Sequence, residues 1–211
     1  MNKKIYYLLF VFFMCAKLSA QNSNPVLLVK QEAQLKAPEF LNLIPEGREK
    51  EYGFANRNDF AKIKLEEPYE TYYVNDKAGK LHFTSANEWR VPVAVNGTYV
   101  TLLTVQVVNG KAEVVDFGGN VLAQKLQEFE KLHGTKKNER VIIRNVFLKQ
   151  DFMTANFKNL HKQNTGANAM ELNKQTTEPL YLINKEKPAK TSVALFYSET
   201  MQVIKNTNGT K

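Results

Sequence analysis

Cysteine is nearly absent from this chain, because the only one in 211 residues is Cys15, inside an apolar N-terminal stretch. Without that stretch the chain has neither a thiolate nucleophile nor a disulfide framework. The three histidines, His82, His133 and His161, form no His-x-His or His-Glu-x-x-His pair. No Gly-x-Ser-x-Gly elbow occurs either. These absences argue against the familiar hydrolase and metal motifs and predict no metal site and no cofactor.

Long hydrophobic runs are also missing, and the longest, Ile5 to Ala16, lies between a Lys3-Lys4 start and Lys17. At about 1.5 Å per residue it reaches about 18 Å, short of a hydrocarbon core of about 30 Å. With the small residues Ser19-Ala20 behind it, the run predicts a cleavable signal peptide over residues 1–20. The mature protein then begins at Gln21 and goes to the periplasm, the cell surface or the medium.

Two further interpretations concern this N-terminal segment. Lipidation of Cys15 is disfavoured because the bulky Phe12-Phe13-Met14 precedes it, where a lipoprotein processing site needs small residues. The Lys-Lys start, the many aromatic residues and the Ser-Ala-Gln exit resemble signal peptides of secreted proteins from Bacteroidetes-type bacteria. This resemblance implies export and identifies no functional family.

Acidic residues are scarce in the C-terminal part of the chain. Residues 21–130 hold 12 Lys and Arg against 15 Asp and Glu, whereas residues 131–211 hold 14 against 6. Such an asymmetry can create a basic face that attracts an anionic polymer or a lipid surface, but it also fits lysines dispersed over a solvated surface. No specific nucleic-acid binding is expected.

The middle of the chain is rich in Val, Tyr, Phe and Thr, the residues favoured in strands. Two Asn-Gly pairs, at residues 96–97 and 109–110, predict type I′ turns that join neighbouring strands into tight hairpins. The predicted strands are Tyr72 to Val74, Leu81 to Thr84, Arg90 to Val95, Tyr99 to Val108, Ala112 to Phe117, Val141 to Leu148 and Leu180 to Ile183. The predicted fold is therefore α+β, with an antiparallel meander of about four to six strands packed against helices.

Helical spacing is clearest after Asn120, where a predicted apolar stripe consists of Leu122, Leu126, Phe129 and Leu132. A terminal helix is predicted from Val193, Phe196, Tyr197, Met201 and Ile204, and only brief helical turns are predicted at Pro38 to Leu43 and Asp59 to Lys64. The predicted organisation is an α+β core at residues 21–157, a mobile loop or linker at 158–177, and a strand and helix at 178–211 that dock on the core.

Candidate binding residues fall into two groups. Tyr72, Tyr73, Trp89 and Arg90 combine aromatic rings with an adjacent guanidinium, which suits peptide or sugar recognition, although burial in the core is the commoner fate of such rings. Lys136, Lys137, Arg140 and Arg144 would form the basic face. No catalytic residue is assigned, because a pair such as Glu88 and Asp116 among 21 carboxylates has almost no specificity.

These observations favour an exported, noncatalytic binding or interaction module for a protein, peptide or glycan, which would use a sheet face or edge. The alternatives are a cell-envelope hydrolase with dispersed catalytic residues, and an anion-binding surface protein that uses the basic C-terminal part. The ligand and the oligomeric state are not determined by the sequence.

Overall fold

The structure is a computed structural model that describes residues 24–133, 140–161, 169–183 and 189–208. The predicted signal peptide, and with it Cys15, lies outside the described residues. The helices are α1 (Pro25–Asn42), α2 (Asn120–His133) and α3 (Val193–Asn208). The strands are β1 (Ile63–Leu65), β2 (Tyr69–Lys77), β3 (Lys80–Val95), β4 (Thr98–Val108), β5 (Lys111–Gly118), β6 (Val141–Asn145), β7 (Gln150–Thr154), β8 (Ala169–Glu171), β9 (Leu180–Leu182) and β10 (Ala189–Thr191).

The strands form one sheet in the order β10-β9-β7-β6-β2-β3-β4-β5, while β1 and β8 pair with the ends of the long strand β3. The α+β class is confirmed. The predicted strand number is too low, since the described residues contain ten strands, and the sheet is mixed because β2 and β6 run parallel. The parallel pair arises because the chain returns through α2 before it enters β6.

Both Asn-Gly hairpins are confirmed. Asn96 and Gly97 have φ of 50° and 79°, and Asn109 and Gly110 have φ of 52° and 75°. Two consecutive positive φ angles define the type I′ turn, whose twist matches that of the flanking strands. These turns set the register of β3, β4 and β5 next to each turn, and irregularities shift the register between Val93 and Ala94 and between Thr104 and Val105.

Helices cover both faces of the sheet. Ile142 packs with α2, whereas its neighbours Val141 and Ile143 pack with α3, so these two helices lie on opposite faces. Glu70 pairs with Trp89 on one neighbouring strand and with Val141 on the other, so these three residues lie on one face of the sheet. Val141 packs with α3 and Trp89 packs with α1, which places α1 and α3 on the same face. None of the helices that the structure describes is long and apolar enough to span a membrane.

The helix predictions are corrected in three places. The brief turn predicted at Pro38 to Leu43 is the end of the 18-residue helix α1, which starts at Pro25 and is capped by Asn24. The turn predicted at Asp59 to Lys64 is a 3-10 helix, Arg57–Lys62, followed by β1. In α2, Leu126 and Phe129 are buried as predicted, but Leu132 is 67% exposed and Ala123 is buried in its stead.

Two further segments differ from their prediction. The strand predicted from Val141 to Leu148 ends at Asn145, because Asn145 accepts hydrogen bonds from the amides of Phe147 and Leu148 and so forms a turn into β7. Within the predicted linker at 158–177, residues 169–171 form β8, which pairs with β3, and Leu172 bridges to His161.

Candidate functional site

A large cavity lies between α1 and β1. It has a volume of about 540 Å³. We call it the β1 groove, and it is lined by Gln34, Ala37, Pro38, Leu41, Asn42, Phe60, Ile63, Lys64 and Leu65. Six of these residues are apolar, and a mostly apolar concavity of this size with a few polar groups is typical of ligand sites.

One wall of the β1 groove is an open strand edge. β1 pairs with β3 through Ile63–Val95, Lys64–Ala94 and Leu65–Val93, and no other strand in the described residues pairs with it. The amide of Glu66 donates to the carbonyl oxygen of Pro92 at 2.9 Å. Because backbone groups in an antiparallel ladder alternate in direction, Lys64 also faces β3, and the N–H and C=O groups of Ile63 and Leu65 face outward.

The opposite wall, α1, contributes an acceptor because of its internal proline. Pro38 has no N–H to donate to the carbonyl oxygen of Gln34, which therefore lacks its usual α-helical partner. Both residues line the β1 groove. Ala33 and Ala37 are fully buried in the same helix, and these small residues let α1 lie close to the sheet.

The floor is held by the 3-10 helix before β1. Its N-terminus is a capping box, in which Asn56 accepts from the amide of Asn58 at 2.9 Å while Asp59 accepts from the amide of Asn56. Burial of the Asp59 carboxyl opposes its ionisation, but hydrogen bonds from Lys62 and from backbone amides hold its pKa below the usual value. The ring of Phe60 contacts Phe54 edge-on at 5.0 Å, which fixes it at the groove.

The predicted aromatic group does not form one surface. Trp89 is 4% exposed and packs in the core under α1, whereas Tyr72 is 9% exposed and packs in the core under α3. Burial, and then the neighbouring Glu70 carboxylate, raise the pKa of Tyr72. Tyr73 is half-buried. These rings are therefore largely packing groups.

Arg140 does not belong to an exposed basic face, because it is 5% exposed. Its guanidinium donates to the hydroxyl of Tyr69 at 2.8 Å, lies 4.6 Å from the centre of that ring and forms an ion pair with Glu130 of α2. Glu130 also accepts from Tyr99 at 2.9 Å. Arg140 thus helps to hold α2 on the sheet.

Arg144 and Arg90 are likewise paired. Arg144 donates to Asp151 at 3.0 Å, and this contact outweighs burial and raises the pKa of Arg144. Arg90 lies 2.8 Å from Glu88. Lys136 and Lys137 lie outside the described residues. The described part of the predicted basic face therefore consists of arginines that already have acidic partners.

The residues considered for catalysis stay apart. The His133 ring packs at a tilt against Tyr181, with the ring centres 4.1 Å apart, and the pKa of His133 is lowered by burial and by Lys190. His82 lies in β3, with its Nδ1 3.0 Å from the carbonyl oxygen of Lys80. Glu88 is held by Arg90, and Asp116 is exposed on β5. Within the described ranges, no three His, Cys, Asp or Glu side chains converge on a possible metal site.

The sequence patterns above do not predict the β1 groove. The sequence does carry a signal, since the Asn56-to-Asp59 capping box opens a short helix and the apolar, charged, apolar triplet Ile63-Lys64-Leu65 follows that helix. The triplet alone does not show that the outer edge of this strand has no partner strand among the described residues.

Comparisons with known proteins identify no relative. No protein-family model matches the chain, and neither the curated proteins nor the solved structures contain a match.

Proposed function

We propose that this chain is an exported, noncatalytic interaction module that binds an extended peptide segment of another protein in the β1 groove. The observation that carries the proposal is the open outer edge of β1 along the β1 groove. A peptide backbone is the ligand whose donors and acceptors alternate at the spacing of a strand edge, and strand addition of this kind recurs in peptide recognition.

The side-chain preference follows from the lining. Ala37, Leu41 and Phe60 favour an apolar side chain on the face of the peptide turned toward α1. Successive side chains alternate along a strand, so the next residue points away from that wall and is free to be polar. At one position of β1, Lys64 forms an ion pair with Glu66 at 2.8 Å, so the groove carries no large excess of charge there.

A pair of neighbouring helix residues tests the site. Gln34 is exposed and lines the β1 groove, whereas the next residue, Leu35, is 66% exposed and does not line it. Linear peptides selected from a random display library against the protein provide the probe. Gln34→Trp should weaken binding of the selected peptide by about tenfold or more by filling the groove, while Leu35→Trp should leave it unchanged. Equal binding by both variants would place the peptide elsewhere.

Export is the second part of the proposal, and it rests on the N-terminal pattern of lysines, apolar run and small residues. Intact-mass measurement of the protein recovered from its producing cell tests it. We expect a chain that begins at Gln21. A mass that retains Met1, or a lipid on Cys15, would overturn the proposed processing.

A further inference from the structure

The outer edge of β5 has no partner strand among the described residues, because β5 stands at one end of the strand order. The direction of its backbone groups follows from the Asn-Gly turn that precedes it. A two-residue turn closes with the N–H of Lys111 donating to the carbonyl oxygen of Val108, so the backbone of Lys111 faces β4. Alternation along the ladder then turns the N–H and C=O groups of Ala112 and Val114 outward.

The regular part of this edge is short. Each residue from Lys111 to Val114 lies opposite one residue of β4, but the register shifts before Asp116 and leaves Val115 without an opposite residue. Such a bulge twists an edge strand away from a straight partner. A strand that pairs with β5 therefore has to do so between the turn and Val114.

Two opposite charges flank Ala112 on this edge. Lys111 and Glu113 are both exposed, and neither forms an ion pair with another described residue. Because they are two positions apart on a strand, their side chains lie on the same face of the sheet. The triplet Lys-Ala-Glu is complementary to itself in the antiparallel direction. If Ala112 lies opposite Ala112 of a second copy, each Lys111 lies opposite Glu113 of the other copy.

Charge selects this register over its neighbours. Outward-facing backbone groups have to meet outward-facing groups, so the paired strands can slip only in steps of two residues. A slip in one direction places Ala112 opposite Val114 and brings the two Glu113 carboxylates together. A slip in the other direction places Ala112 opposite Gly110 and brings the two Lys111 ammonium groups together. Like charges directly opposite each other are destabilising, whereas opposite charges stabilise the pair.

The other face of this edge is apolar. Ala112 and its neighbour Val107 on β4 are half-buried and pack against the core under α1. In the self-paired register, Ala112 contacts Ala112 of the second copy, and the apolar row continues to Val107 of that copy. Gly110 lies opposite Val114 of the second copy, where its missing side chain permits a close approach. Pairing therefore covers apolar surface on one face and forms two ion pairs on the other.

From these contacts we propose that the outer edge of β5 is a dimerisation surface, to which a second copy of this chain adds its own β5 about a two-fold axis at Ala112. A symmetric interface of this kind uses the same patch on both copies, as the self-complementary triplet requires. The β1 groove has no lining residue on this edge. The dimer therefore does not depend on peptide binding in that groove.

Two charge reversals test the dimer by exchange of partners. Sedimentation equilibrium of the exported protein, at concentrations up to about 1 mM, should show monomers in equilibrium with dimers. Lys111→Glu and Glu113→Lys should each raise the dimer dissociation constant by about tenfold or more, because both symmetry-related pairs become repulsive. An equimolar mixture of the two variants should associate again, since every pair in the mixed dimer joins opposite charges. The double variant K111E/E113K should dimerise like the unchanged protein.

The control variants reverse charges far from this edge. Glu199 and Lys205 are exposed on α3, which packs on strands at the other end of the sheet, and Glu199→Lys and Lys205→Glu should leave the dissociation constant unchanged. Circular dichroism checks the fold of each variant, and if a single variant misfolds, the double variant decides. A monomer at every concentration, a dimer that both reversals leave unaffected, folded single variants that do not associate when mixed, or a monomeric double variant would overturn the proposal.

Discussion

Gly53 lies directly against the backbone of Val100: a Cβ atom added to Gly53 would be 2.0 Å from the Val100 carbonyl oxygen. Gly53 also has a φ of 91°, in the left-handed region, where it ends the 3-10 helix Glu49–Tyr52. Gly53→Ala should therefore lower the free energy of unfolding by about 2 to 5 kcal/mol, measured by urea denaturation. Gly47 is the control, since its φ is 83° but nothing lies within 4 Å of an added Cβ. Gly47→Ala should cost only about 1 kcal/mol, and equal losses would show that the contact with Val100 is not tight.

The stripe of α2 gives a second prediction. Phe129 is fully buried against the sheet, whereas Leu132, three residues later, is 67% exposed. Phe129→Ala should cost about 3 to 5 kcal/mol because it leaves a cavity, while Leu132→Ala should stay within about 0.5 kcal/mol. Denaturation midpoints of the two variants check this, and comparable losses would mean that the helix is rotated from the position described.

The ion pair that holds α2 gives a third prediction. The side chain of Arg140 is 2% exposed and that of Glu130 is 19% exposed. Glu130→Ala leaves the buried guanidinium without its carboxylate and should cost about 3 to 5 kcal/mol. Glu128→Ala, which removes an exposed pair with Lys125, should cost less than about 1 kcal/mol. If calorimetry finds the two variants equally stable, Arg140 does not need Glu130.

Alkaline pH gives a fourth prediction. The pKa values of Tyr69, Tyr72 and Tyr99 are raised, first by burial and then by nearby carboxylates. The unfolded chain ionises near the ordinary tyrosine pKa of about 10. Their stabilising contribution is therefore complete below about pH 10 and is lost as the pH rises above it. Tyrosinate absorbance should show these three groups ionising together with loss of structure, and their ionisation near pH 10 in a folded protein would contradict the account.

The sequence correctly predicts the features that are determined by neighbouring residues. The Asn-Gly pairs fix both hairpins through two positive φ angles, whatever the rest of the chain does. Leu126 and Phe129 were found because their spacing matches a helix with one buried face. The sequence does not predict α1 in full because the buried face of this helix relies on alanines, Ala33 and Ala37, and because Pro38 suggests a break.

The parts of the fold that depend on pairing between distant segments cannot be predicted from the sequence. The parallel contact between β2 and β6 joins Glu70 to Val141 across three intervening strands and a helix, and no local pattern encodes it. The same holds for the candidate sites. Aromatic character points to Trp89 and charge points to Arg140, and only the fold shows that Trp89 packs in the core under α1 while Arg140 pairs with Glu130 of α2. The β1 groove depends on which edge of a three-residue strand stays unpaired.

The most direct test of peptide binding measures amide hydrogen exchange along β1. The outward amides of Ile63 and Leu65 should exchange fast in the free protein and slow down when the selected peptide is added. The amide of Lys64, which faces β3, should be protected in both states. A peptide that binds while Ile63 and Leu65 keep exchanging at their free rates would contradict strand addition in the β1 groove.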